Sequence, residues 1–545
     1  MKSNLFKNIV IVALILLTVL SCDTQSLRDL DNPKYMLTKD NADMSLMFTN
    51  IIINYGRRSI GGNPLSQQAV YIKYYSTYSN IAISGALNQF SQGINDNPWN
   101  QSYPNEVSMV TTLENFLVEQ DNPNMVNNLA MTRILKAAIF MRLTDFYGDI
   151  PYTEAGKLAI SSFELNKPVY DTQESIYKDL LSILETEAPK LTAGVATTWS
   201  NADLSYNGNM TQWKKFAYSL MLRGAMRISD ADQATSRKYA ELAIANGVIL
   251  DNADNYLMRT GTSTNPDERN DYSRWFAGEG GGDPERYMKL GQYFVDWMKT
   301  MNDPRRKIIF GGRLNEDIGN TTASDMSNYW RVEADWNWNL DEARGVAHGI
   351  NANPELTVPA YHHAYTSPNP FLYVNTRPIE LVTASEMLLL ISEAALKGWN
   401  TGSYTAESAY QAGVKANMSQ LTGYSGMLEH QTISNEEMDI YLAAHTLGAG
   451  GAAKTRLAEE MWITMYLNPT EGWFNVVRMG LNLPPNSSSP GFTMPRRMAY
   501  PENERSNNLE QLNAAMSRHG WALDMIREQE VQQRNWWDVA NKQVP

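Results

Sequence analysis

The chain of 545 residues contains one cysteine, Cys22, so no internal disulfide can form and a cysteine-rich metal site is excluded. Basic side chains are the minority, 46 against 59 acidic, giving a net charge of −13. A nucleic-acid partner needs a basic face for its phosphates, and this balance argues against one. Histidine is scarce, with six in all, and only His362 and His363 are adjacent. Neighbouring residues project differently from a helix or a strand, which disfavours a shared metal at that pair. Gly-x-Ser-x-Gly, His-Glu-x-x-His, P-loop and dinucleotide-binding patterns are all missing. Beyond the N-terminus no stretch offers enough uninterrupted apolar residues to span a bilayer. What remains is ordinary for a globular chain, with 43% hydrophobic and 19% charged residues. The length suits two to four domains or one large composite fold. Tyrosine (28) and tryptophan (14) together outweigh phenylalanine (14), a skew toward rings with a polar handle, suited to half-wet surfaces.

Lys2 and Lys7 precede Ile9–Leu20, a run in which only Thr18 is polar. It is too short for a transmembrane helix and reads as the apolar region of a signal peptide. Val19-Leu20-Ser21-Cys22 follows, with the small residue before a cysteine that resembles a bacterial lipobox. The resemblance implies a signal peptide over 1–21, cleavage before Cys22, and acylation of its thiol and new amino group, palmitate being one such acyl chain. Two or more acyl chains hold a protein stably at a membrane where a single chain does not. Residues 22–34 are expected to be a polar, lipidated tether. Cleavage would remove Lys2 and Lys7, leaving 44 basic against 59 acidic side chains and a net charge of −15.

Helical periodicity dominates the rest. From Trp213, Phe216, Ala217, Leu220, Gly224 and Ile228 recur near one face of a helix, and Ala217, Gly224 and Ala225 are small enough for close helix approach. Similar patterns cover about 128–147, 174–188, 235–246, 288–301, 381–398, 405–418 and 453–467. Several are joined by short connections, as across Asn400-Thr401-Gly402-Ser403. Such pairs suggest a mainly α fold of tetratricopeptide-like helical hairpins stacked around a shared core. Tyr71, Tyr74, Tyr75 and Tyr78 have the spacing of one packed helix face. Long polar stretches rich in Gly, Asn, Asp and Trp lie at 255–287 and 311–376, and loops of that length usually carry function.

Several stretches resemble the SusD/RagB-like outer-membrane lipoproteins. They are Leu143-Thr144-Asp145-Phe146-Tyr147-Gly148-Asp149-Ile150-Pro151-Tyr152, Pro168-Val169-Tyr170-Asp171-Thr172, Asn207-Gly208-Asn209, and Leu220-Met221-Leu222-Arg223 with Met226-Arg227. Later matches are Asn302-Asp303-Pro304-Arg305, Ser392-Glu393-Ala394-Ala395 and Pro495-Arg496-Arg497-Met498-Ala499-Tyr500-Pro501-Glu502. The run around Glu460-Met461-Trp462 departs from a Gln-Lys-Trp-like family pattern, and a second arginine is commonly expected near Arg478, which suggests a divergent branch. The resemblance implies one SusD-like domain over 35–545. Its scaffold would cover about 35–250 and 381–470, with a loop-rich, partly irregular insertion at about 255–376 and a C-terminal segment at about 471–545. It further implies a non-catalytic nutrient-binding protein facing the cell exterior, with a SusC-like TonB-dependent transporter as partner and this chain as its hinged lid. The ligand it implies is an oligosaccharide for SusD-like members or a peptide for RagB-like ones; no cofactor is implied.

The motifs also have a structural reading. Gly148 suits a helix C-cap, Asp171-Thr172 a helix start, and Asp303-Pro304 a helix stop. Glu386 and Glu393, seven apart, share a helix face and suit the satisfaction of buried polar groups. Chemistry with a ligand points instead to Tyr329, Trp330, Trp336 and Trp338, interleaved with Arg331, Asp335 and Asn337. Flat rings offer platforms for sugar C–H faces, and the polar neighbours can bond hydroxyls. The same rings could instead form a small core for their own loop. Trp99 and Trp275 are further ligand-binding candidates; Trp99 could also staple a helix start with Tyr103. Trp536 and Trp537 are expected to dock the C-terminal tail or touch a partner. A glycosidase would need two carboxylates across a cleft, for which Asp335, Asp341 and Glu342 are available; a surface adhesin is the remaining alternative.

Overall fold

The computed structural model describes residues 38–60, 67–76, 90–157, 167–194, 199–261, 270, 272–273, 289–311, 367–424, 431–484 and 493–540. The chain divides into two units, Met1–Met44 and Ser45–Pro545, and the second carries the helical scaffold. Cys22 lies outside the described residues, among which no helix is long and apolar enough to cross a membrane.

The architecture is mainly helical. The longer helices are α1 (Met44–Ile60), α2 (Gln92–Ser102), α3 (Ser108–Gln120), α4 (Val126–Tyr147), α5 (Gln173–Glu187), α6 (Met210–Arg227) and α7 (Gln233–Asn246). They continue with α8 (Gln292–Thr300), α9 (Ala384–Leu396), α10 (Ala406–Thr422), α11 (Asn435–Ala444), α12 (Gly450–Thr464), α13 (Pro469–Met479) and α14 (Leu509–Arg518). Hairpins α4/α5, α6/α7, α9/α10 and α12/α13 stack in series, with α6 bridging α5 to α9 and α9 bridging to α12. This is the expected tetratricopeptide-like scaffold. Helix α4 is buried on nearly every side, as a central helix must be. The small-residue stripe on α6 works as the sequence suggests: a Cβ on Gly224 would lie 2.8 Å from Met141 Cε and 3.3 Å from Leu181 Cδ2, on α4 and α5.

Local signals set the helix ends. Thr172 Oγ1 accepts the Ser175 amide at 3.2 Å to start α5, and Asn209 Oδ1 accepts the Thr211 and Gln212 amides at 3.1 and 3.3 Å to start α6. These bonds satisfy amides that have no partner within the helix. Gly148 ends α4 at φ +78 and ψ −119, a conformation open to glycine and outside the left-handed helical region expected of a C-cap. That turn brings Asp149 Oδ1 to 2.9 Å from the Gln173 amide at the head of α5. Helix α8 ends at Thr300, just before Asp303-Pro304.

The structure revises two expectations. Tyr71, Tyr74 and Tyr75 are buried but do not share a helix face. Ala69–Tyr71 is a single turn, and Lys73 at φ +71 sends the chain into strand β1 (Tyr75–Ser76). Tyr78 lies outside the described residues. The helical pattern from 381 begins later, at Ala384, because Ile379–Val382 pairs as a strand with Tyr256–Met258, inside the range read as loop.

Arginine–carboxylate pairs cross-link the buried layers. Arg223 on α6 holds both oxygens of Glu386 on α9 at 2.6 and 2.5 Å. Arg227 contacts Asp145 at 3.1 Å and also pairs with Glu471. Arg478 holds Glu393 at 2.7 and 2.8 Å, and Arg142 holds Glu106 at 2.7 and 2.6 Å. Glu386 and Glu393 therefore satisfy buried partners as expected. Burial works against the charge on Glu471, but Arg227 and Arg223 together hold its carboxyl below the usual range. At Asp145 burial outweighs Arg227 and pushes the carboxyl up to about 6. Beside them a small cavity of about 20 Å³, lined by Tyr55, Arg142, Arg223 and Thr470 among others, has room for one water.

Candidate ligand-binding region

Four short strands gather at one place. β1 pairs antiparallel with Lys289–Leu290, Tyr75 opposite Leu290 and Ser76 opposite Lys289. Phe310–Gly311 pairs with Ser367–Pro368, Phe310 opposite Pro368 and Gly311 opposite Ser367. The 289–290 strand also lies against 367–368. Backbone bonds extend both ladders by one residue, from the Gly291 amide to Tyr74 O and from the Asn369 amide to Ile309 O, each 2.9 Å. The chain end that leads into residues 77–89, the end that closes 274–288 and both ends of 312–366 therefore meet in one small region, although they are far apart in sequence.

Tyrosines pack behind these roots. The Tyr75 and Tyr373 hydroxyls are 2.7 Å apart, and both side chains are buried. Burial pushes both phenols above their ordinary range, so each keeps its proton and the bond persists at physiological pH. The Tyr272 ring meets Tyr373 edge-on at 5.6 Å. Ser273 Oγ donates to Asn375 Oδ1 at 2.7 Å, and the Asn270 amide donates to Asn375 O at 3.1 Å. These contacts pin Asn270, Tyr272 and Ser273 to the segment following the 367–368 strand. Periodicity gave no sign of this pinning, since each contact joins residues about a hundred positions apart.

The aromatic candidates Tyr329, Trp330, Trp336 and Trp338, with Asp335 and Asn337, lie outside the described residues, as do Trp275, Asp341, Glu342, His362 and His363. Trp99 is described, and it is 5% exposed. Its ring packs against Tyr103 at 4.6 Å, Tyr147 at 5.1 Å and Tyr170 at 6.0 Å. In this arrangement Trp99 belongs to a buried wall and has no open face. Trp537 is buried, with the Arg227 guanidinium 5.6 Å from its ring centre, and docks the C-terminal tail onto the core. Among the described residues no cluster of His, Cys, Asp or Glu could hold a metal ion.

A family model described as starch-binding and associating with the outer membrane matches residues 36–501. The chain belongs to the SusD-like family. Solved SusD-like structures share the fold over nearly all of their length. A chitin-binding protein is 27% identical, with a TM-score of 0.71 over 91% of this chain and 99% of that one. A Bacteroidetes SusD-like protein, AC2a, is 23% identical, with a TM-score of 0.74 over 91% and 100%. A chitin-binding SusD homologue from Flavobacterium johnsoniae is 21% identical, with a TM-score of 0.66 over 91% and 98%. No curated protein matches this SusD-like chain in sequence.

Proposed function

We propose that this protein is a non-catalytic, lipid-anchored receptor on the outer membrane that captures oligosaccharides and passes them to a SusC-like TonB-dependent transporter, for which it acts as a lid. The observation that carries the reading is the meeting of the strand ladders. The segment bearing Tyr329, Trp330, Asp335, Trp336, Asn337 and Trp338 starts and ends on paired strands, beside the end of the segment bearing Trp275. Family membership and the 27% identical chitin-binding relative support a glycan ligand. In this reading the tryptophans stack on sugar rings, Asp335 and Asn337 bond the hydroxyls, and Trp99 supports a wall without touching ligand. Acyl chains on Cys22 hold the receptor beside its transporter, where high effective concentration makes weak contacts sufficient.

Titration of tryptophan fluorescence with chitin- and starch-derived oligosaccharides, and with short peptides, tests the reading. Saturable quenching by an oligosaccharide, lost in Trp336→Ala and Trp338→Ala, is expected. Quenching by peptides alone would replace the glycan with the peptide ligand of RagB-like proteins. Release of shortened products would make the protein a hydrolase.

A further inference from the structure

Helices α3, α4 and α5 enclose an open groove of about 430 Å³, within the volume range of small-molecule sites. Its half-buried floor is a fixed array of charges. Glu114 takes Arg133 on one oxygen and Lys136 on the other, each at 2.8 Å. Arg133 reaches across to Glu187 Oε1 at 2.9 Å. At one side the Tyr152 hydroxyl donates to Asp179 at 2.5 Å. The second oxygen of Glu187 is buried and accepts no hydrogen bond from the chain, although the residue lines the groove and is 3% exposed. A buried carboxylate oxygen without a donor is costly, and a hydroxyl or N–H brought to it by a ligand would relieve that cost.

The lining chooses among ligand classes. Three cations (Arg133, Lys136, Lys157) face three anions (Glu114, Asp179, Glu187) in the lining, and just outside it Lys190 pairs with Glu187 at 2.8 Å while Asp171 accepts from Thr153, so the groove has little net pull on an ion of either sign. Ile183 is the one aliphatic side chain present, which leaves no row of pockets for the side chains of a peptide. An apolar ligand would take these ion pairs out of water without supplying any hydrogen bond in return. A neutral molecule with adjacent hydroxyls meets every requirement, since each hydroxyl can donate to a carboxylate and accept from Lys136 or Arg133.

We propose that the groove between α3, α4 and α5 is a second binding site, for a neutral, hydroxyl-rich ligand of the oligosaccharide class. The proposal rests on the groove's own chemistry and does not require the aromatic insertion to bind anything. Two separate sites on one anchored receptor would hold a polymer longer than either site alone.

Calorimetric titration of the mature chain with chitin- and starch-derived oligosaccharides tests it in four backgrounds: wild type, the Trp336→Ala/Trp338→Ala double variant, and each of these with Ser182→Leu. Ser182 is exposed and lines the groove, so leucine plugs it without touching the core. The double variant is expected to retain one weak site, and Ser182→Leu to remove it; Lys136→Met should weaken that site about tenfold or more. Unchanged affinity in the double variant together with loss on Ser182→Leu would sink the aromatic site and leave the groove standing. Identical isotherms with and without Ser182→Leu overturn the groove proposal, as does a crystal soaked in oligosaccharide that shows only water against Glu187.

Discussion

Arg305 Nη2 lies 2.9 Å from Glu460 Oε2, and both side chains are fully buried. The same guanidinium holds Asp303 at 2.6 Å, and the Tyr441 hydroxyl donates to Glu460 at 2.6 Å. Glu460 lies in the Glu460-Met461-Trp462 run and Arg305 in the Asn302-Asp303-Pro304-Arg305 motif, so the pair ties two distant stretches together inside the scaffold.

Arg305 serves two buried acids at once, so removing it leaves Asp303 and Glu460 buried without their counter-charge. Arg305→Met is therefore expected to destabilise the fold by about 3–5 kcal/mol, read as a lower urea midpoint. A change of less than about 1 kcal/mol would mean that water already reaches the two carboxylates.

Two close-packed glycines should respond differently to alanine. At Gly224 the new methyl meets chiefly the Met141 side-chain terminus at 2.8 Å, which can swing away. The gain in helix propensity, about 1 kcal/mol, should leave Gly224→Ala near neutral. At Gly413 it would meet Leu389 Cγ at 3.0 Å and the Ser385 carbonyl at 3.2 Å. Neither yields easily, so Gly413→Ala should cost about 1–3 kcal/mol. Thermal unfolding of the two variants side by side checks the order.

Asp145 gives a pH dependence of defined sign. Its folded carboxyl titrates at about 6 because of burial, above an unfolded value of about 3.9. Between these values the native state holds a proton that the unfolded chain lacks, so this group's contribution to stability falls as pH rises through 6. Asp145→Asn should remove that slope. Urea midpoints of wild type and variant, compared from about pH 4 to 7, should differ in slope across this window. Parallel curves would show that Arg227 and the Tyr177 hydroxyl, 2.5 Å away, keep Asp145 ionised.

Cys22→Ser should move the protein from the membrane fraction to the soluble fraction, since a lone cysteine leaves no second attachment point. Persistence of the variant in washed membranes would contradict the acyl anchor.

The hydroxyl bond between Tyr75 and Tyr373 links β1 to the turn that follows the 367–368 strand. Tyr373→Phe should cost about 1 kcal/mol of stability and also weaken oligosaccharide binding. Lost stability with unchanged binding would detach the tyrosines from the ligand region.

The sequence by itself determined the helices whose two faces differ in polarity, together with their stops and caps. Gly148, Thr172, Asn209 and Asp303-Pro304 act through their own backbone and nearest neighbours, so a local reading finds them. Glu386 and Glu393 could be placed on one face as buried acids for the same reason. Helix α13 lies outside the helical patterns read from the sequence although Glu471, Asn475 and Arg478 recur on one face; that stripe meets Arg227 and Glu393 in the interior instead of water. Tertiary structure decided which arginine each acid meets and that Lys73 turns the tyrosine run into a strand. It also decided that Trp99 is walled in by rings from four segments. Those outcomes depend on contacts between residues tens to hundreds of positions apart, whose burial and pairing energies exceed local preference.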